Sequence, residues 1–300
     1  MKDQVGIKKI KELRFAIVTL APLLVFVWLW IAYPISYAVF HSFHAYDITR
    51  PWYVGRFIGL DNYIGVFTSY YFIKSLITTA IFIVVVVPVV IGLSLGIALI
   101  LNQNVPGSRV MQVFVLVPWA IPYVVTGTMF KWIYDANYGI LNYVLVKLNI
   151  ISEYQPWLTM PWHALMLLSL GWIWSQYPLP TILFLARLKL MPTDIYEASI
   201  IDGANAFNRF RFITLTWLRP ILLLNIIYQT IIALATFDLI YVITGGGPFD
   251  FTSTISFFTY REAFQFFDWG RAISLAVSLF LIGLSIVYLY MKALPSVRYR

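Results

Sequence analysis

Asp238 lies inside a long apolar stretch of a chain that carries only 13 acidic residues among 300. A carboxyl group there could serve as half of an acid–base pair, as a metal ligand, or as an acceptor for a polar solute. The first two uses need companions. Nucleophilic or acid–base chemistry requires a second group within hydrogen-bond reach, and a metal site requires several ligands. Cysteine is absent, and neither H-E-x-x-H nor G-x-S-x-G occurs. His41 and His44 are three apart and could share a helix face, but they read as two interfacial histidines at the end of a span. His163 stands alone as a helix-end residue. No G-x-x-x-x-G-K-[ST] occurs, nor even a Gly-Lys pair, so the usual phosphate-binding loop is missing. The run TGGGP, Thr244–Pro248, has three glycines but no lysine and no following helix, and reads as a flexible turn. We therefore assign no catalytic residue, no metal and no cofactor. A carboxyl group inside a span is by default a functional candidate facing the bundle interior; the alternative for Asp238 is a structural hydrogen bond near the outer interface.

The elements that carry these residues are apolar. The chain is 61% hydrophobic, 11% charged and 18% aromatic, against roughly a quarter charged in a soluble domain. It cannot cover its own apolar surface, so lipid is its solvent. Six stretches are long enough to span a bilayer, which takes about 20 mostly apolar residues: about 13–39, 72–101, 111–134, 163–185, 220–243 and 272–291. They predict one all-α membrane domain over 1–300. Prolines interrupt several spans (Pro22, Pro34, Pro88, Pro118, Pro122, Pro178, Pro180), which is tolerated where neighbouring helices or water take up the freed carbonyls. The basic start resembles a signal peptide, but the apolar run is too long and no cleavage pattern follows, so it reads as a retained anchor. With the N-terminus inside, fourteen of the 21 lysines and arginines fall on the inner side, which places both termini in the cytoplasm. That distribution also explains the net charge of +8 without nucleic acid. The outer loops, 41–71 and 135–161, are rich in Trp, Tyr, Pro and Asn and should lie along the outer membrane surface.

One polar insert, about 188–219, falls between spans four and five on the cytoplasmic side. Asp194 stands three residues before Glu197, a spacing that predicts a capped helix over about 195–202. Gly203 then suits a left-handed break. A second helix follows, with Phe207, Phe210, Ile213 and Trp217 on one face. Ala198, Ser199, Gly203 and Ala204 are small enough to permit close approach. Short helices need packing to be stable, so the insert is either a docking knob for a soluble partner or an ordinary basic loop.

The stretch EASIIDGANAFNRFRFITLTWLRP, Glu197–Pro220, resembles the EAA signature of ABC-importer permeases: E-A-A, three residues, G, nine residues to I, then L-P. Glu197, Ala198 and Gly203 match, and Ile213 falls near the expected isoleucine. Ser199 replaces the second alanine, and Thr216 stands where the closing proline is often found. Ile243–Ala272, GLDNYIGVF (Gly59–Phe67) and Val117–Asn142 are also similar to carbohydrate-type importers, so the resemblance covers nearly the whole chain. It implies the six-span bundle of a type I ABC importer permease, of the maltose-type first-permease kind. The implied partners are a second homologous permease, two ATPase subunits docked on a coupling helix (Glu197, Ala198, Ser199, Asp202, Gly203, Ala204), and an extracellular binding protein. The implied solute is a carbohydrate, with glycerol phosphate as an alternative. A sugar needs hydrogen-bonding groups and aromatic faces. By resemblance spans four and five line its path, which nominates Trp172, Trp174 and Gln176 on the fourth and Gln229, Thr236, Asp238 and Tyr241 on the fifth. Lipid or interface packing is the alternative for the tryptophans. A secondary transporter would need coupling acids or an internal repeat, and neither is evident beyond Asp238.

Overall fold

The computed structural model describes residues 2–103 and 106–293, with side chains from residue 14 onward except residue 16. They fall into two compact units: 2–66 with 262–277, and the described residues of 67–261 with 278–293. Regular structure among the described residues is helical, apart from isolated bridges at His44–Phe57 and Asp47–Asp268.

In the first unit, α1 (Lys2–Val27) passes through a π-helical turn, Trp28–Ala32, into α2 (Tyr33–His41). The stretch Ile17–His41 is apolar throughout and none of its most apolar window is buried within the chain, which is what a lipid- or partner-facing helix requires. The short α3 (Asp61–Phe67) anchors the segment after α2. Asn62 is buried and donates from Nδ2 to the carbonyls of Ser42 (2.8 Å) and His44 (2.9 Å). Two ion pairs, Arg50–Asp47 and Arg271–Asp268, lie beside the Asp47–Asp268 bridge.

In the second unit, α4 (Tyr70–Leu101) is the central post. Ser69 caps it by accepting from the Phe72 amide at 3.1 Å, the ordinary duty of a serine at that position. Its buried stripe of Ser75, Thr79, Phe82, Val86, Val90 and Ser94 recurs every three or four residues, one face of a helix. That face packs on α8 (Pro161–Gln176), α9 (Pro178–Lys189) and α12 (Leu215–Ala235). Phe82, Val86, Val90, Leu168, Trp172, Phe184 and Leu218 form the core.

Among the described residues, four helices are long and apolar enough to cross a membrane, and five if one bent pair counts as a span. That pair covers the third expected stretch, about 111–134, which Pro118 and Pro122 interrupt in the sequence. It divides into α5 (Ser108–Ala120) and α6 (Tyr123–Ile133), bent by 93°. Ile121 is extended (φ −86, ψ 127), the conformation favoured for a residue before proline, and Pro122 has no amide to continue the ladder. The fourth stretch is also two helices, α8 and α9, but Tyr177 between them keeps helical angles.

The fifth stretch breaks where no proline or glycine stands. α12 ends at Ala235 and α13 (Asp238–Ile243) begins after Thr236 and Phe237. The Ala235 carbonyl accepts from Ser256 Oγ (3.0 Å) and that of Thr236 from Thr254 Oγ1 (3.3 Å). The hydroxyls come from the start of α14 (Ile255–Phe264) and the residue before it. Between them, TGGGP is pinned rather than loose: Thr252 Oγ1 bonds Gly247 O at 2.7 Å and lies 2.7 Å from Thr244 Oγ1. A Cβ on Gly246, at φ +86, would sit 2.5 Å from the Phe257 ring. The last long helix is α15 (Trp269–Ala293).

Candidate functional site

The two helix breaks and α8 border a part-open cavity of about 110 Å³ lined by Tyr123, Trp172, Ile232, Ala235, Thr236, Asp238 and Leu239. Each lining group has a structural reason to be there. Tyr123 opens α6 directly after the 93° bend. Trp172 is 1% exposed, its ring edge-on to Phe82 at 5.7 Å between centroids. Its indole Nε1 donates to Thr236 Oγ1 at 2.8 Å, and that hydroxyl donates to the Ile232 carbonyl at 2.8 Å. Thr236 thus holds a lone indole N–H that burial would otherwise leave unpaired. Asp238 is half-buried in the first turn of α13, the end of a helix that favours a carboxylate.

Of the residues nominated from the sequence, Trp172, Thr236 and Asp238 therefore meet on one cavity. Gln176 and Gln229 lie beside it and are 1% and 0% exposed. Gln176 Nε2 bonds the Tyr123 hydroxyl, and Gln229 Nε2 donates to the Gln176 carbonyl at 3.3 Å. That carbonyl has no helical donor, because the residue four positions on is Pro180. Gln229 supplies the missing donor and ties α12 to α8. Trp174 packs instead against Phe130, at 5.6 Å edge-to-face. Tyr241, 49% exposed, stands off the cavity in a group with Phe237 and Tyr260. Sequence reasoning missed Tyr123. Its only signal was the proline before it, which marks a break but not what the break faces.

The polar insert takes a well-defined form. α10 (Thr193–Ile201) starts after Pro192 with no side-chain cap. This corrects the expected Asp194 cap: Asp194 lies inside the first turn, where its charge suits the helix N-terminus. Gly203 has φ +74. The Gly203 amide bonds Ile200 O and the Ala204 amide bonds Ser199 O, both at 3.0 Å, the paired closure of a helix that ends on a left-handed glycine. Ser199 is the buried residue of α10, its Oγ on Tyr196 O at 2.6 Å. Glu197, Ala198, Ile200 and Ile201 are exposed, and Asp202 with them. The expected second short helix is not separate. Asn205 caps Asn208 at 2.8 Å, and α11 (Ala206–Asn208) runs through a π-helical turn, Arg209–Thr214, into α12. Phe207 is 65% exposed, while Phe210, Ile213 and Trp217 are half-buried.

Residues 88–299 match the family described as binding-protein-dependent transport system inner membrane component. The chain belongs to this family. The trehalose/maltose transport system permease protein MalF of Thermococcus litoralis is 35% identical over 288 residues, 95% of this chain and 95% of that protein. The sulfoquinovosyl glycerol transport system permease protein SmoG of Agrobacterium fabrum is 32% identical, over 92% of this chain and 89% of that one. In fold, this inner membrane component superposes on a chain of a bacterial ABC transporter involved in import of the acidic polysaccharide alginate. The TM-score is 0.81 at 19% identity, over 97% of this chain and 98% of that one. The architecture is the all-helical one of a type I ABC importer permease.

Proposed function

We propose that this chain is the translocation subunit of an ATP-driven importer for a saccharide or glycoside, delivered by an extracellular binding protein. The observation that carries this reading is the cavity. Its lining includes Trp172, Tyr123, Thr236 and Asp238, the mixture of aromatic and hydrogen-bonding residues that a sugar uses. The named relatives of 35% and 32% identity carry trehalose or maltose and a sulfoquinovosyl glycerol.

The size of the cavity argues for a second permease. Ligand sites usually measure about 300–1,000 Å³, and 110 Å³ is one wall of such a site. In this reading both termini are cytoplasmic and six spans form one permease domain, with α5 and α6 together as the third and α8 and α9 together as the fourth. The insert is the coupling helix, with Glu197, Ala198, Asp202, Gly203 and Ala204 set into a cleft on one of two ATPase subunits, while Ser199, expected there too, is buried against this chain and bonded to Tyr196 O. Its exposed apolar residues, Ile200 at 52% and Ile201 at 86%, support that role, since an element facing only water has no use for them.

The test is uptake of labelled maltose, trehalose and glycerol phosphate into proteoliposomes holding the chain, a second permease, the ATPase and the binding protein. Saccharide uptake that needs ATP and every partner is expected, and Asp238→Asn should raise the KM for saccharide. Uptake by this chain alone under a proton or sodium gradient would overturn the reading.

A further inference from the structure

The insert is joined to the helices on either side of it by two arginines that positive-side bias alone does not explain. Arg187 lies in the last turn of α9 and Trp217 in the first turn of α12. Three interactions link these two residues. Arg187 Nε donates to the Trp217 carbonyl at 3.3 Å, Trp217 Nε1 donates to the Arg187 carbonyl at 2.8 Å, and the guanidinium carbon lies 4.0 Å from the indole centroid. Each residue gives a side-chain donor to the other's backbone. This fixes both the separation of the two helix ends and their rotation, which one contact would not do. The planar, fork-shaped guanidinium can stack and donate at once, as a lysine cannot.

Arg209 makes the second junction. Its Nη1 donates to the Ala204 carbonyl at 3.0 Å, and its guanidinium lies 5.3 Å from the Tyr196 ring centroid. Its Nε is buried without a hydrogen-bond partner, so its hold on α10 comes through Nη1 and the ring face. The glycine closure at Gly203 and the Asn205 cap fix the backbone in between.

We infer that the Arg187–Trp217 clasp and the Arg209 junction make residues 187–217 one stiff lever, so that displacement of α10 is delivered to α9 and α12 without being absorbed in the insert. Arg187, Trp217 and Arg209 are then positioning residues for transport. This rests on the reading of α10 as the ATPase-docking element. The physical requirement is general: an element transmits a displacement only if it is stiffer than what it moves. A basic loop that only obeyed membrane charge bias would leave its arginines in solvent, whereas Arg187 and Arg209 are both half-buried.

The chain has no cysteine, so two spin labels can be placed at Ile201→Cys and Leu224→Cys, both exposed positions on α10 and α12. Pulsed dipolar distances are measured on the assembled transporter in nanodiscs, in the parent background and with Arg187→Met, Arg209→Met and Trp217→Phe. The parent should give one narrow distribution. Arg187→Met and Arg209→Met should raise the population outside it about fivefold, the change that goes with losing one net hydrogen bond. Trp217→Phe keeps an aromatic face for the guanidinium but loses the N–H, and should fall between. The ratio of ATP hydrolysis with binding protein to that without should fall in the same order, whereas simple loss of folded protein would lower both rates together. Unchanged distributions in all three variants overturn the lever, and Trp217→Phe keeps that outcome readable if the arginine variants fold poorly. If the distributions broaden but a cross-linker at Ile201→Cys never captures the ATPase, the clasp stands and the docking reading fails.

Discussion

Replacing Thr236 by valine keeps the shape and β-branching of the side chain and removes one hydroxyl. In this chain that hydroxyl does two things: it accepts from Trp172 Nε1 at 2.8 Å and donates to the Ile232 carbonyl at 2.8 Å. Trp172 is 1% exposed, so its N–H has no water to turn to. A buried donor left unpaired costs about 1–3 kcal/mol, so Thr236→Val should destabilise the chain by about 2 kcal/mol. That corresponds to roughly 4 °C in apparent melting temperature at about 2 °C per kcal/mol for a large domain. Trp172→Phe removes the N–H instead, and strands nothing, because the Thr236 hydroxyl keeps its own bond. Its cost is about 1 kcal/mol for the lost bond, plus about 1 kcal/mol for roughly 40 Å³ of new void at 24 cal/mol per Å³. The two changes should not add: in the Trp172→Phe background, Thr236→Val has no orphan to create. Melting of the four proteins in detergent, followed by retention on size exclusion, gives the cycle. Equal cost of Thr236→Val in both backgrounds would refute the bond, and with it the argument that Thr236 fixes the indole on the cavity wall.

Two further predictions concern the insert and the first unit. A Cβ on Gly203 meets nothing within 4 Å, so the objection to a side chain there is its φ of +74 alone. Gly203→Val should cost about 1–2 kcal/mol of local strain and sharply reduce ATP-dependent uptake with normal membrane insertion, while Gly203→Asn, which tolerates that conformation, should retain most of it. Burial raises the Asp268 carboxyl above its ordinary 3.8; the backbone hydrogen bond and charge of Arg271 pull it back, Asp47 raises it and Arg50 lowers it. A raised value in the folded state means the folded chain binds that proton more tightly than the unfolded one. The associated stability is complete below pH 3.8 and is lost as pH rises through the folded value. Melting curves across the acid range should show this slope flattened in Asp268→Asn, which can still accept the Arg271 amide bond seen at 3.0 Å.

The chain's own order of residues determined that it is an all-helical membrane protein and where its long apolar helices lie, because hydropathy over about 20 residues is a local property. It also determined the Gly203 break, since a left-handed helix closure is written by the one residue that meets no steric penalty there, and Pro122 announced a break in the third span. Three things were decided only by the tertiary structure. α12 ends at Ala235 because the freed carbonyls of Ala235 and Thr236 find hydroxyls on Ser256 and Thr254, some 20 residues away. Gln176 and Gln229 share a span-lining pattern in the sequence, but only the packing shows that the Gln176 carbonyl, left without a helical donor by Pro180, accepts from Gln229 Nε2. Trp172 and Trp174 are indistinguishable by spacing, yet one lines the cavity and the other packs on Phe130. In each case the deciding partner is remote in sequence. A pattern along one helix shows which faces are apolar, but a polar side chain's role is set by the group across from it, and only the packing of distant helices supplies that group.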